Sequence, residues 1–339
     1  MVVNNGFSFV SKKGNYFLEN DNIVSNEENE IIRINASFGI DEKPISLELA
    51  AIEMYDTDAI ISFCNKYGRL GTIHRGVVKS DYNSNVTMEP FMEYRTVISR
   101  LQKLLALRSA SEDNNYTDII KNAVSLLLSP ASCQCRSAVN SWEYGKRVTS
   151  DLQMIQMFMD SWHNQPFTER MPLEKRFNEF IDYLLNDAVD QYNDLYLFLD
   201  TIRKNIGIKD IDTQWNIIFS GQIEDFINAA APEFLKNLKY IANQIISQEL
   251  NQYISDVCPV IKHDGKNFYG TWNVNSLLEL IYLELFLLFS QDAKLKKCLN
   301  PTCPEYFIIY GSDTRKKYCS NRCSQLMAKR NQREREKIV

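Results

Sequence analysis

The sequence lacks a long apolar run. The most apolar window of its 339 residues is 277–289, and Glu279 and Glu284 interrupt it. Crossing a bilayer takes about 20 predominantly apolar residues, so this window predicts a buried helix instead of a membrane span. The N-terminal residues carry neither a sustained apolar stretch nor a cleavage-site pattern, so no signal peptide is predicted. We therefore expect a cytoplasmic protein without a membrane partner.

The familiar catalytic motifs are also missing. The sequence has no glycine-rich phosphate loop, no nucleophile elbow and no paired-carboxylate motif. It has three histidines, and His74 lies in a polar loop beside Arg75 and Gly76. We interpret His74 as part of that polar loop, with a ligand contact as the alternative. We expect no catalytic residues and no enzymatic activity.

The positive charge is concentrated at the C-terminus. Residues 294–339 carry twelve Lys or Arg and four acids, a net charge of +8, whereas the whole chain carries −5. The remaining residues, 1–293, therefore carry −13. A basic tail on an acidic body indicates that the tail meets a polyanion. The alternative is a solvated, charged helix that only keeps the protein in solution.

The eight cysteines fall into two groups. Four of them, which we call the tail cysteines, have the spacing C-x4-C, fifteen residues, C-x3-C: Cys298, Cys303, Cys319 and Cys323. In a cytoplasmic chain, paired cysteines at short spacing favour a metal over disulfides. Their thiolates then converge on a tetrahedron with a Zn–S distance of about 2.3 Å. The tail cysteines therefore predict one zinc ion, Zn²⁺, and it is structural because four thiolates leave no open coordination position.

The other cysteines do not form such a pattern. Cys133 and Cys135 have one residue between them, too close for an ordinary zinc knuckle, so we interpret them as thiols. Cys258 and His263 lack a second ligand pair, so we predict no metal there.

The segment between the two cysteine pairs predicts a hairpin and a helix. Residues 306–310 are β-prone, 311–313 form a turn, and 316–318 return as a second strand. The next residues read as a helix with Ser320 at its N-cap and the last zinc ligand in its first turn. This combination predicts a treble-clef-like module.

The tail resembles the bacterial CGNR-type zinc-finger proteins. The resemblance rests on C-x4-C, an aromatic strand, a turn with Asp313, basic residues, the run Tyr318-Cys319-Ser320 and a basic helix. Residues 60–71 and 272–278 also resemble the larger helical domain, called ABATE, that precedes the finger in that family. One departure is that Ser-Gln-Leu follows the last cysteine where the family has Gly-Asn-Arg, and another is that the second cysteine pair is one residue closer together. The resemblance implies a divergent relative with a regulatory, nucleic-acid-binding role.

The predicted fold is mainly α. We expect a large ABATE-like helical body at 1–290, with short β-prone runs near its N-terminus, and a zinc finger at 291–339. Gly68 is placed as a left-handed C-cap, and a methionine stripe at 154, 157 and 159 is interpreted as core. The predicted helices are 58–67, 90–108, 117–128, 142–162, 173–205, 224–253 with a break at Pro232, and 277–289, with a hairpin at 260–272.

The tail helix predicts a nucleic-acid-binding surface. Arg322, Lys329 and Arg333 are spaced by seven and four residues, which places them on one helix face. We expect DNA in preference to RNA; the alternative is a zinc-stabilised module that docks on an acidic protein. A protein partner or small ligand is expected at the helical body. The predicted contact residues are Lys316, Lys317, Arg322, Lys329, Arg330, Arg333 and Lys337.

Overall fold

The chain is mainly helical, as predicted. The computed structural model describes residues 7–25, 30–36, 43–71, 88–131, 151–166, 170–186, 193–255, 257–263, 265–291, 294–309 and 315–336. The helices in these ranges are α1 Ile45–Ala50, α2 Thr57–Tyr67, α3 Phe91–Asp113, α4 Tyr116–Leu128, α5 Asp151–His163, α6 Leu173–Asn186, α7 Asp194–Asn205, α8 Ile223–Ala229, α9 Pro232–Ile254, α10 Leu277–Ser290 and α11 Asn321–Glu336. The strands are β1 Phe7–Lys13, β2 Tyr16–Glu19, β3 Asn22–Ser25, β4 Glu30–Ala36, β5 Glu89–Pro90, β6 Ile208–Ile211, β7 Ile217–Phe219, β8 Cys258–His263, β9 Phe268–Asn273, β10 Lys294–Lys297 and β11 Tyr306–Ile309.

The chain divides into two compact units. Unit 1 comprises residues 1–72, 81–94 and 254–339, and unit 2 comprises residues 73–80 and 95–253. Unit 1 therefore combines the N-terminal strands, the apolar helix α10 and the cysteine-rich tail. This division does not coincide with the boundary predicted at residue 290, which stays a prediction.

The β-structure of unit 1 is antiparallel. Strands β1 and β4 pair with Phe7 opposite Ala36, and β2 pairs with β3. Asn20 and Asp21 connect β2 to β3 with φ of 47° and 60°, the left-handed values that a tight hairpin turn requires. Short strand β5 adds to the β3 edge.

The two acids that interrupt the apolar run of α10 serve as backbone acceptors. Glu279 is 4% exposed and its Oε2 accepts the N–H of Asn275 at 2.8 Å, just before the Ser276 N-cap. The Glu284 carboxylate accepts the N–H groups of Ile45 at 3.2 Å and Ser46 at 2.7 Å, where α1 begins. Burial raises the pKa of Glu284. The predicted buried helix is confirmed, and its acids satisfy donors that would otherwise be buried without a partner.

The core of unit 2 contains a buried ion pair. Arg100 on α3 and Glu249 on α9 are both fully buried and make two hydrogen bonds, Nε–Oε1 at 2.8 Å and Nη2–Oε2 at 2.6 Å. Gln252 donates to the same carboxylate at 2.9 Å. Arg100 also donates to the backbone carbonyls of Ser129 and Pro130, at 3.4 and 3.1 Å, so α3, α9 and the end of α4 are joined by one polar cluster.

A second feature of unit 2, the β6–β7 hairpin, was not predicted from the sequence. Its turn contains Trp215 at φ 58°, and Lys103 donates to the Gln214 carbonyl at 3.1 Å. Ile208 and Ile217 are buried, so this hairpin packs its apolar side against the helices.

Several predicted helices are confirmed and others need correction. Helix α4 and the break at Pro232, where α9 begins, agree with prediction. The single helix predicted at 173–205 is wrong: α7 starts anew, because the Asn193 side chain accepts from the N–H of Leu195 and caps it. The helix predicted at 90–108 continues to Asp113.

The predictions for Gly68 and for the methionine stripe are each correct only in part. Gly68 has the expected positive φ of 87°, but its ψ of −172° is extended, so it is not a left-handed cap. Met159 is buried, whereas Met154 and Met157 are exposed, so the stripe is only partly core. The segments with His74, with Cys133 and Cys135, and with residues 142–150 lie outside the described residues. None of the described helices has the length and apolarity needed to span a bilayer.

Candidate metal centre

The tail cysteines come together in space. Their Sγ atoms all lie within 4.8 Å of one another. The Sγ atom of Cys319 lies 3.6 Å from the Sγ atoms of both Cys303 and Cys323. A tetrahedral zinc with Zn–S near 2.3 Å requires its sulfurs to be about 3.8 Å apart. The four thiols therefore fit one zinc ion, and the closed set of four ligands makes that zinc structural.

The first cysteine pair lies in the connection of a hairpin. Strand β10 pairs with β11, with Lys297 opposite Tyr306, and Cys298 extends the ladder by donating its N–H to the Glu305 carbonyl at 2.9 Å. The predicted pairing of 306–310 with 316–318 is wrong, because residues 316–318 do not form a strand. The Lys317 carbonyl instead accepts a hydrogen bond from the N–H of Leu299 at 3.1 Å, and the predicted turn at 311–313 lies outside the described residues. The strand that precedes the first cysteine is the partner because the C-x4-C loop folds β10 and β11 back on each other.

Asn300 links this loop to the second cysteine pair. It is 5% exposed, its backbone carbonyl accepts from the N–H of Cys303 at 2.9 Å, and its Oδ1 accepts from the N–H of Thr302 at 3.3 Å. Its Nδ2 donates to the Sγ of Cys323 at 3.5 Å. This hydrogen bond is the main reason why the pKa of the Cys323 thiol falls to about 7. Asn300 was not predicted from the sequence, although an Asn inside a C-x4-C loop could have indicated it, since Asx side chains form hydrogen bonds to nearby backbone and ligand atoms.

The second cysteine pair fixes the start of α11. Ser320 accepts the N–H of Cys323 on its Oγ at 3.3 Å and the N–H of Ser324 on its carbonyl at 3.2 Å, which confirms it as the N-cap. Cys323 is the third residue of the helix, and Cys319 precedes the cap. Two zinc ligands therefore bracket the first turn, so the metal sets the position from which the helix leaves the module.

Beyond that turn, α11 is largely exposed to solvent. Cys323 is its only buried residue. Arg322, Lys329, Arg330 and Arg333 are all exposed, and Arg330 pairs with Glu334 at 3.3 Å. The first turn thus serves as the anchor while the basic residues further along face water.

The remaining predicted contacts lie on the hairpin side of the module. Lys316 is exposed, with its Nζ 5.2 Å from the centre of the Phe307 ring on β11. Lys317 is exposed next to the C-x4-C loop, and Lys337 lies outside the described residues. The structure adds two exposed lysines at the ends of β10, Lys294 and Lys297. Both contribute to the net charge of the tail, but neither was among the contact residues predicted from the sequence.

The module is also tied to the N-terminal part of unit 1. Glu305, between the knuckle and β11, accepts a hydrogen bond from the Nζ of Lys43 at 2.8 Å. Both side chains are about one-third exposed, so this ion pair contributes at most about 1 kcal/mol.

Comparison with known proteins agrees with this geometry. Residues 294–336 match the family model described as the CGNR zinc finger, a range that begins with β10 and ends with α11. No curated protein and no solved structure matches the chain. The resemblance of the tail to the CGNR-type zinc fingers is confirmed, because the segment that matches the model contains the four converging thiols.

Proposed function

We propose that this chain is a cytoplasmic nucleic-acid-binding regulator that contacts DNA through the finger, defined here as residues 294–336. The carrying observation is the zinc-bracketed helix α11, whose basic side chains are exposed beyond its anchored first turn. The zinc holds the helix and takes no part in a reaction, because a site with four thiolates has no position for a substrate. We propose a binding protein and not an enzyme.

The arrangement of the basic residues supports contact with a phosphate backbone. Arg322, Lys329 and Arg333 share one helix face and span about 16 Å at 1.5 Å per residue. Lysine and arginine side chains that reach phosphates displace condensed counterions, and this displacement supplies sequence-independent affinity. The finger therefore has the charge and the rigid support that such contacts require.

The helical form of the basic surface favours DNA over RNA. The major groove of B-DNA is about 12 Å wide and admits an α-helix. The major groove of A-form RNA is deep and narrow, so side chains of a helix do not reach its bases. The regulatory part of the proposal assigns the sensing of a ligand or protein partner to the larger helical body.

A salt titration tests the proposal. The full-length zinc-bound protein is titrated into a fluorescent mixed-sequence duplex at several salt concentrations. Log affinity should fall linearly with log salt, with a slope of about −0.9 for each phosphate contact. The triple variant K329A/R330A/R333A should lose two to three contacts and flatten the slope by about 2 to 3, with its zinc content unchanged.

A matched control distinguishes the loss of a specific contact surface from a general change in net charge. The variant K175A/K209A/K236A removes three exposed lysines of unit 2 and changes the net charge by the same amount. It should leave the slope as in the wild type. Absence of duplex binding at low salt contradicts the proposal, and so does an equal loss in both triple variants. Binding of the finger to an acidic protein, without any to DNA, would support the protein-interaction alternative instead.

A further inference from the structure

One side of α11, over its first two turns, is directed at the metal centre. Cys323 is buried and supplies one of the four thiols, and Met327, four residues later, is half-buried. Residues four apart lie on the same face of a helix, so these two residues mark the anchored side of α11. The side chains that point away from this side are the ones available to a DNA groove.

Two amide side chains point away from the anchored side. Asn321 and Gln325 are each two positions from Cys323, which places them about 160° around the helix from it, at 3.6 residues per turn. Both are exposed, and neither amide has a hydrogen-bond partner among the described residues. Because they are four residues apart, they form one pair on the outward face.

An exposed leucine lies beside this pair. Leu326 is 48% exposed and is adjacent in sequence to Gln325. It follows Arg322 by four residues and precedes Lys329 by three, so it shares the helix face of these two basic residues. A large apolar side chain is therefore placed among the proposed phosphate contacts.

The other two amides of α11 are placed differently. Gln332 donates to Glu336 at 2.9 Å, so its side chain is engaged within the helix. Asn331 follows Arg322 by nine residues, which is two and a half turns, so it lies on the opposite face. Both belong to the half of the helix that contains its two acids, whereas residues 321–328 contain no acid that would repel phosphates.

We propose that Asn321, Gln325 and Leu326 read A·T base pairs in the major groove of the DNA that the finger binds. This inference rests on the proposed function, since the basic residues supply the affinity and these three residues add a sequence preference. The amides match adenine, which presents the N7 acceptor and the N6 donor side by side, and Leu326 matches the thymine methyl group. In helix-turn-helix proteins, too, the N-terminal residues of the groove-bound helix contact the base edges.

The test uses four duplexes of equal length and the full-length zinc-bound protein. They are an A·T-only duplex of irregular sequence, a G·C-only duplex, and two modified forms of the A·T duplex. In one form 7-deazaadenine, which lacks the N7 acceptor, replaces adenine; in the other uracil, which lacks the methyl group, replaces thymine. Both changes lie on the major-groove edge, so they distinguish base reading from a preference for the shape of A·T-rich DNA.

The wild type should bind the A·T duplex about tenfold more tightly than the G·C duplex, the effect of one bidentate base contact. The 7-deazaadenine duplex should lose most of this preference. The uracil duplex should bind about three- to fourfold more weakly, the effect of one methyl group no longer removed from water. N321A/Q325A should bind the adenine and 7-deazaadenine duplexes equally, and Leu326→Ala should bind the thymine and uracil duplexes equally.

A matched control removes the other two amides of the helix. N331A/Q332A changes the same residue types in the same number, so it should keep every affinity ratio of the wild type. Alanine is the best helix former, so all variants should retain α11, and zinc content with helical circular dichroism verifies this. The slope of log affinity against log salt should also be unchanged in each variant, because no basic residue is removed.

The outcomes separate this inference from the proposed function. Equal affinity for the A·T and G·C duplexes, with the expected salt dependence, overturns the inference and leaves the finger proposal standing. An A·T preference that 7-deazaadenine leaves intact also overturns it, because the protein then recognises groove shape. The inference fails as well when N331A/Q332A lowers the preference as much as N321A/Q325A does. Absence of binding to all four duplexes at low salt overturns both proposals.

Discussion

The side-chain nitrogen of Asn300, in the C-x4-C loop, lies 3.5 Å from the Sγ of Cys323, in the first turn of α11. One buried amide thereby connects the knuckle, through its bonds to Thr302, with the cysteine that belongs to α11. An N–H directed at a thiolate stabilises its negative charge and orients it for the metal. The coupling between the two halves of the finger therefore has a component besides zinc itself.

Replacing Asn300 should weaken zinc binding without removing a ligand. Asn300→Ala should lower the zinc affinity by about 10- to 100-fold, the usual cost of losing a partner of a metal ligand. Asn300→Asp keeps an acceptor for Thr302 but loses the N–H donor and adds a negative charge near the thiolates, so its loss should be at least as large. Competition with a chromogenic chelator measures both values.

Two further variants serve as controls for the Asn300 prediction. Cys319→Ser removes a ligand, so it should abolish stoichiometric zinc binding and the circular-dichroism signal of α11, because zinc binding supplies the folding free energy of so small a module. Thr302→Val removes only the hydrogen bond from the Thr302 hydroxyl to Asn300 Oδ1 and keeps the backbone N–H that donates to the same oxygen. If it weakens zinc binding as much as Asn300→Ala does, the loop and not the N–H to Cys323 is responsible.

Removing one partner of the buried Arg100–Glu249 pair should destabilise the protein more than removing both. Arg100→Met leaves the Glu249 carboxylate buried without its charged partner and should reduce the free energy of unfolding by about 3–5 kcal/mol. The double variant Arg100→Met, Glu249→Met removes both charges and should recover most of that loss. Urea unfolding gives the three values, and a double variant no more stable than the single one would contradict this account.

Lys103 should make stability rise with pH above neutrality. Burial, with Arg100 nearby, lowers its pKa to about 7 in the folded protein, whereas an unfolded lysine titrates near about 10.4. Between these two values the unfolded state binds more protons, so the free energy of unfolding increases with pH, by at most about 1.4 kcal/mol per unit. Below pH 7 both states are protonated and the unfavourable contribution of the buried charge is constant.

The comparison is between the wild type and Lys103→Met, unfolded with urea at several pH values from 7 to 9. The wild-type free energy should rise relative to that of the variant across this range. The exposed Lys209→Met serves as the control and should run parallel to the wild type. Parallel curves for wild type and Lys103→Met would mean that Lys103 is not charged differently in the two states.

The features that follow from local chemistry could be predicted from the sequence. The spacing of the tail cysteines predicts the zinc centre, since metal geometry constrains short loops in any surroundings. Ser320 caps α11, Pro232 starts α9 and the 258–273 hairpin forms around Gly265, because capping, proline and turn rules operate within a few residues.

Features that depend on distant partners could not be predicted. Strand β11 had a suitable partner at 316–318 by sequence alone, and only the fold shows that it pairs with β10. Strand pairing of this kind depends on tertiary contacts, which override local propensity. The Asn193 cap at the start of α7 is different, because it is a local signal within an otherwise helical pattern and was not recognised in the sequence.

The sequence by itself determined the zinc ligands, the mainly helical class and the basic character of the tail. The tertiary structure alone decided that Asn300 reaches Cys323, that Glu284 caps α1, and that Gln325 and Leu326 are exposed on α11. The physical reason is that ligand spacing, periodicity and charge are local properties of the chain. Burial and long-range hydrogen bonds exist only after distant segments have packed together.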